Sequence, residues 1–334
     1  MGENIIIENY NIHDVVKFQL VNENIRGIFH NFNPEYEYFK VNENLKLDFR
    51  ITLTNKITES NRIDKKYTFR KNYKKWEIEI VEYKNSFIDI KIVPHLKGIY
   101  KVISYSALKS LYIRSLIYYC LIKKGSTLVH SSGININNKA YLFVGRPGVF
   151  KTSLLMDFLR NANATFLGEE NTILHNGKIY SFPFHIKSLA FRIKHYKNEN
   201  PQTIFHKLWQ VSSLLSKSKI KLPISEPCKL DKVFFIEKNT DFSCVNSTLS
   251  SLHGKFVENE LEELNIKCNL RLSAGIKDNL FSDFLIENNI LSEIKNKLSE
   301  IFYNELTNCN IYNITMPNKY TPLLHNKILE IIEK

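Results

Sequence analysis

Cysteine is sparse in this 334-residue chain, and the five present, Cys120, Cys228, Cys244, Cys268 and Cys309, are scattered. They form no C-x-x-C pair and no Cys/His cluster, so neither a disulfide framework nor a zinc site is suggested. The N-terminal stretch GENIIIENYNIHDVV lacks the basic start, unbroken apolar run and small-residue cleavage site of a secretory leader. Long hydrophobic runs are missing too. The greasiest segment, SALKSLYIRSLIYYCLI, carries Lys109 and Arg114 and is too short to span a bilayer comfortably. There are no internal repeats and no low-complexity linker. A soluble, cytoplasmic protein with no membrane partner is the expectation.

What is present is enough apolar residue, 43% of the chain, for one large core or two ordinary ones, and two domains are expected. The formal charge of +12 raises the question of an anionic partner. The lysines, however, are spread among asparagine, isoleucine and tyrosine. The densest run, YTFRKNYKKWEIEIVEYK at 67–84, is basic at one end and acidic at the other, as a solvated strand or turn face would be. Nucleic acid therefore stays a minor expectation.

Residues 1–105 alternate apolar and polar positions in short runs such as KVNENLKLDFRITLTNKI and KKWEIEIVEYKNSFIDIKIV, the period-two signal of hairpins. They are read as a β-rich N-terminal domain. Spacing then turns helical at Leu108, Leu111, Tyr112, Ile113, Leu116, Tyr119 and Cys120, with Gly125 as the stop, which predicts a core-packed helix opening a second domain, 106–334. Further along, two extended runs meet at Asn137-Asn138, and Asn176-Gly177 marks a second hairpin. Helices are expected over 151–160, 205–220, much of 275–307 and the C-terminus, where Pro322 lies near the first turn, with strands at 230–238 and 310–316.

One stretch, YLFVGRPGVFKTSLL (141–155), has the layout of a phosphate cradle. A cradle needs a buried strand to hold its loop, successive backbone N–H groups pointing inward at a helix N-terminus, and a lysine that reaches the outer phosphates. KAYLFV supplies the strand, and Gly145, Arg146, Pro147, Gly148, Val149 and Phe150 the loop. Lys151 supplies the charge, Thr152 a hydroxyl for Mg²⁺, and Ser153 continues the first helical turn. The departure is Phe150, where the pattern G-x-x-x-x-G-K-[ST] has glycine. A single lost charge-assisted bond would weaken phosphate binding about tenfold to hundredfold without abolishing it. A ring that points away from the ligand would cost less.

Upstream stands His130 in TLVHSSG, and downstream the pair Glu169-Glu170 in ATFLGEENTIL. Over residues 108–190 the order of histidine, hairpin, loop, helix, strand ending in two acids and further hairpin resembles the HPr kinase/phosphorylase-like kinases, whose P-loop fold is akin to that of phosphoenolpyruvate carboxykinase. The resemblance implies an α/β kinase domain with a central mixed sheet, preceded by the β-rich domain, which would recognise the acceptor or regulate access. It implies ATP or another triphosphate as donor and Mg²⁺ as cofactor. The acceptor would be a hydroxyl of a protein, peptide or small molecule, and homo-oligomers are common in the family. Lys151 would hold the β/γ-phosphates and Thr152 the metal. One of the two acids would complete the metal shell while the other takes the acceptor proton, with His130 close by; Glu169 is taken as the base and Glu170 as the metal ligand, the reverse order staying open. The family usually carries aspartates at the acidic pair, so the longer glutamates leave catalysis open, and a nucleotide-binding protein without turnover is the alternative.

Overall fold

The computed structural model describes residues 5–23, 36–58, 63–72, 76–95, 113–183, 186–195, 222–268, 270–271, 277–278, 280–321 and 323–334. The helix expected at 205–220, the first turns of the helix expected from 106, the expected boundary at 105 and Pro322 lie outside them. The described residues form a mixed α/β structure with two mixed sheets, a short two-stranded one and seven α-helices. Among them no helix is long and apolar enough to cross a membrane. The chain divides into two compact units, Met1–Lys124 with Leu261–Lys297, and Gly125–Glu260 with Leu298–Lys334.

The first unit holds β1 (Ile5–Ile12), β2 (Val16–Glu23), β3 (Lys40–Val41), β4 (Phe49–Leu53), β5 (Lys65–Asn72), β6 (Trp76–Tyr83), β7 (Ile88–Pro94) and α1 (Arg114–Lys123). Alternation in the sequence does produce strands. Two of the junctions, however, β2 with β4 and β4 with β7, are parallel, so the sheet order is β3-β1-β2-β4-β7-β6-β5 rather than a run of hairpins. One face is filled by aromatic rings, with Phe18 stacked on Tyr10 at 4.7 Å and on Phe49 at 4.8 Å. Helix α1 ends at Gly125, whose φ of +73° suits glycine. From Ile113 through Ile122 it is buried, Arg114 and Ser115 included. Tyr119 and Lys123, one helical turn apart, both donate to the carboxylate of Glu82 on β6, which is 0% exposed. Burial and that neighbouring carboxylate hold the Tyr119 hydroxyl well above the usual phenol range.

In the second unit the chain runs through β8 (Thr127–Val129), β9 (Ser131–Ile136), β10 (Lys139–Val144), α2 (Lys151–Asn161), β11 (Thr165–Gly168), β12 (Thr172–His175), β13 (Lys178–Tyr180), α3 (Ile186–His195), β14 (Cys228–Lys238), β15 (Ser243–Ser247) and α4 (Leu249–Cys268). The chain then passes through β16 (Leu270–Arg271), β17 (Lys277–Asp278) and α5 (Leu280–Glu287), which belong to the first unit, and through α6 (Ile290–Leu306), which like α4 crosses the division, before β18 (Asn310–Met316) and α7 (Leu323–Glu333) of the second. Strands β10, β14 and β18 are parallel neighbours, and β9 and β11 extend the sheet antiparallel on the far side of β10. The near-continuous apolar runs YLFV and VFFI are those of strands covered on both faces. Phe143 of β10 packs on Phe158 of α2 at 5.4 Å and on Phe234 of β14 at 5.7 Å, so α2 lies on the sheet by the apolar face its sequence spacing predicts. Both asparagine-bearing hairpins form, with positive φ at Asn137, Asn138, Asn176 and Gly177.

Candidate functional site

Strand register brings the candidate residues to one end of the second sheet. Val144 pairs with Ser131, so Gly145 and His130 leave the β9-β10 hairpin side by side. Gly168 pairs with Gly133 on the other edge of β9, so Glu169 leaves β11 at the same end. Ser132 fixes that exit, its Oγ donating to the Glu169 carbonyl at 2.8 Å. This end also holds the carboxyl ends of parallel β10, β14 and β18, and the crevice outside such strand ends is where open α/β sheets bind ligands.

Three of the six loop residues, Gly145, Gly148 and Phe150, adopt left-handed or glycine-only conformations. Gly145 has φ +144°, and a Cβ there would meet the Ile236 carbonyl oxygen at 2.3 Å. Gly148 has φ +85°. Phe150, despite its side chain, sits at φ +64°, ψ 15°, the conformation that a glycine in its place would supply. A left-handed non-glycine residue costs about 1–3 kcal/mol and persists only where its surroundings fix it. At the acidic end a second glycine is obligatory for space: a Cβ on Gly168 would meet the Asn171 carbonyl oxygen at 2.1 Å.

Lys151 opens α2 and is 7% exposed. Its ammonium turns back into the loop, donating to the Gly145 carbonyl, to the Arg146 carbonyl at 3.1 Å and to His130 Nε2 at 3.1 Å. An ammonium only donates, so His130 accepts through Nε2 and is assigned the neutral tautomer with its proton on Nδ1. The backbone N–H of His130 in turn donates to Glu260 Oε1 at 2.5 Å, and Glu260, on α4, is 1% exposed. Phe150, the N-cap residue of α2, makes no side-chain cap bond. The first N–H groups of a helix have no carbonyl of their own helix to bond, and here the first such bond runs from Leu154 to the Phe150 carbonyl.

Glu169 is 8% exposed and receives Arg192 Nη1 at 3.0 Å. Burial pushes its carboxyl up to about 7; the Arg192 charge and the Thr152 hydroxyl pull it down, and the charge of Glu170 adds to the rise. Thr152 is thus one of the neighbours that favour the charged form of Glu169, while Glu170 is half-exposed beside it. Among the described residues no group of three or more His, Cys, Asp and Glu could hold a metal ion. Mg²⁺ shared with phosphate oxygens and water asks for less, one or two protein ligands, and Thr152 with a carboxylate fits that demand.

Five of the residues singled out in the sequence, His130, Gly145, Lys151, Thr152 and Glu169, therefore converge. Arg192, Ser132 and Glu260 join them without any motif to announce them. The side chain of Lys187, a basic residue of the same region, lies outside the described residues. No family model matches the chain, and no curated protein matches it.

Proposed function

We propose that the second unit is a P-loop kinase domain of the HPr kinase-like type, which transfers the γ-phosphoryl group of ATP to a hydroxyl acceptor. The observation that carries this reading is the lysine at the mouth of a left-handed loop, bonded to His130, with Thr152 next to it in the chain and the buried carboxylate of Glu169 at the same end of the sheet. Phosphoryl transfer asks little covalent chemistry of a protein and much positioning and charge neutralisation. Lys151, freed from the loop carbonyls by an incoming phosphate, would hold the β/γ-oxygens, with the backbone N–H groups of the loop and first turn around them.

Thr152 and Glu169 would hold Mg²⁺, the hydroxyl at the start of α2 and the buried carboxylate past β11 standing at the same end of the sheet. This reverses the assignment taken from the sequence, and leaves Glu170 to accept the acceptor's proton. Bound there, the metal would neutralise charge developing on the phosphate oxygens. Arg192 holds Glu169 in place and His130 holds Lys151. A serine-bearing peptide is the acceptor proposed first, with the first unit as its recognition element.

Incubation of the full chain with Mg²⁺ and γ-labelled ATP over a pool of serine- and threonine-containing peptides is expected to yield labelled phosphopeptide. Glu170→Gln is expected to lower the rate about a hundredfold or more at unchanged Mg²⁺ requirement, and Glu169→Gln to raise that requirement. A second reading, nucleotide binding without turnover, draws on the tie between Glu169 and Arg192 and on the aromatic residue at position 150. Tight Mg·ATP binding with no label on any acceptor would favour it.

A further inference from the structure

The ring of Phe150 turns to the opposite flank of the loop from the Lys151 ammonium. Lys151 reaches toward His130 on the β9 side. The Phe150 ring instead lies 5.7 Å from the ring of Tyr320, in the segment after β18, tilted by 50°. The ammonium of Lys238, the last residue of β14, stands 5.0 Å from its centroid. Tyr320 is pinned by its hydroxyl, which donates to Asp157 Oδ2 at 2.5 Å, and Asp157 is buried on α2. Phe150 and Tyr320 are half-buried and Lys238 is exposed. The strand order β9-β10-β14-β18 therefore divides one end of the sheet into a polar flank carrying His130, Lys151 and Glu169, and an aromatic flank carrying Phe150 and Tyr320.

We propose that Phe150 and Tyr320 form the stacking platform for the base of the nucleotide whose phosphates the loop holds, the Lys238 ammonium giving way to the base. This inference rests on the polyphosphate reading of residues 145–152 and adds to it where the base lies and what holds it. A ring held at positive φ, when any turn of this kind is met more cheaply by glycine, is a strained feature that a ligand contact would explain. Phe150 and Tyr320 pack partly on the core and stay half-exposed, and the exposed Lys238 ammonium over the Phe150 ring can yield to a flat ligand at little cost, since an exposed cation over a ring contributes modestly. Stacking tolerates every base, so the platform gives affinity for a nucleoside without choosing among the bases.

Calorimetric titration of the full chain, in Mg²⁺, with ATP and with inorganic tripolyphosphate separates the base from the phosphates. ATP is expected to bind about tenfold or more tighter than tripolyphosphate. Phe150→Leu is expected to bring that ratio close to one, and Phe150→Trp to keep it. The inference is overturned if the wild-type ratio is already near one, or if Phe150→Leu weakens both ligands by the same factor, which marks the ring as a loop anchor only. Absence of binding by either ligand overturns the polyphosphate reading as well, whereas tripolyphosphate binding without preference for ATP overturns this inference alone. Should Phe150→Leu fail to fold, saturation transfer from aromatic protein protons to wild-type-bound ATP decides: stronger transfer to base H2 and H8 than to ribose protons supports the platform, and equal or weaker transfer overturns it.

Discussion

Lys151→Ala is expected to reduce phosphoryl transfer at least a thousandfold and to weaken Mg·ATP binding about tenfold to hundredfold. The side chain is buried at the start of α2, and its bonds include those to two loop carbonyls and to His130. Each of those partners is a neutral acceptor that releases the ammonium when a phosphate, a charged acceptor, presents itself. Binding loses one charge-assisted contact, about 1.5–3 kcal/mol. Turnover loses more, because charge on the transferring group grows beyond that of the ground state and a preorganised donor acts most strongly there. Lys151→Arg is a poor rescue, since the planar guanidinium does not reproduce a point charge folded back between carbonyls. Affinity by calorimetry and rate by label transfer separate the two effects. Unchanged transfer by Lys151→Ala would remove the loop from the chemistry.

Lys123→Ala is expected to destabilise the first unit by about 3 kcal/mol or more, lowering its melting temperature by about 10 °C. Glu82 is fully buried on β6 and its carboxylate is shared between the Lys123 ammonium and the Tyr119 hydroxyl. Removal of the lysine leaves a buried charge with a single neutral donor, which is the costly half of the asymmetry between breaking a buried pair and replacing it. The double variant Glu82→Leu/Lys123→Leu keeps the volume without the charge and is expected to be far less destabilised than the single one. Thermal or denaturant melts of the three proteins check this. A loss below about 1 kcal/mol for the single variant would show that the pair carries little.

The legible parts of the fold were those in which a local pattern fixes a local structure. The strands at 310–316 and 230–238, the helix from Lys151 and the two asparagine-bearing turns stand where spacing and turn chemistry predict them. Pairing was not legible. Period-two alternation says which residues share a face, not which strand lies beside which, and the parallel neighbours β2, β4 and β7 carry no turn signal between them. Helix α4 went unread because its buried face, Leu252, Phe256 and Val257, continues into Asn259 and Glu260, two buried polar residues that interrupt the apolar period. The helix at 114–123 was read as the opening of the second domain, but it belongs by contacts to the first unit, as does 261–297. Helical spacing marks a packed helix without saying what it packs against.

At the site, the loop, the lysine-threonine pair, the histidine and the acids stand in the sequence as a spaced motif, and hairpin register explains why they meet. Arg192 has no such spacing: it reaches Glu169 only because α3 returns to the loop end. The same holds for Tyr320 and Lys238, brought to Phe150 by the parallel order of β10, β14 and β18. For Phe150 the sequence posed a choice between a lost backbone donor and a ring turned aside. The structure gives the ring turned toward Tyr320 and a backbone in the left-handed region.

The most direct test is a crystal structure of the chain with Mg²⁺ and a non-hydrolysable ATP analogue. The β- and γ-phosphates are expected inside the turn 145–152, within hydrogen-bonding distance of Lys151 Nζ, with the metal on Thr152 Oγ1. A structure in which the analogue is bound elsewhere, while Lys151 keeps its bonds to the carbonyls of Gly145 and Arg146, would contradict the kinase proposal at its root.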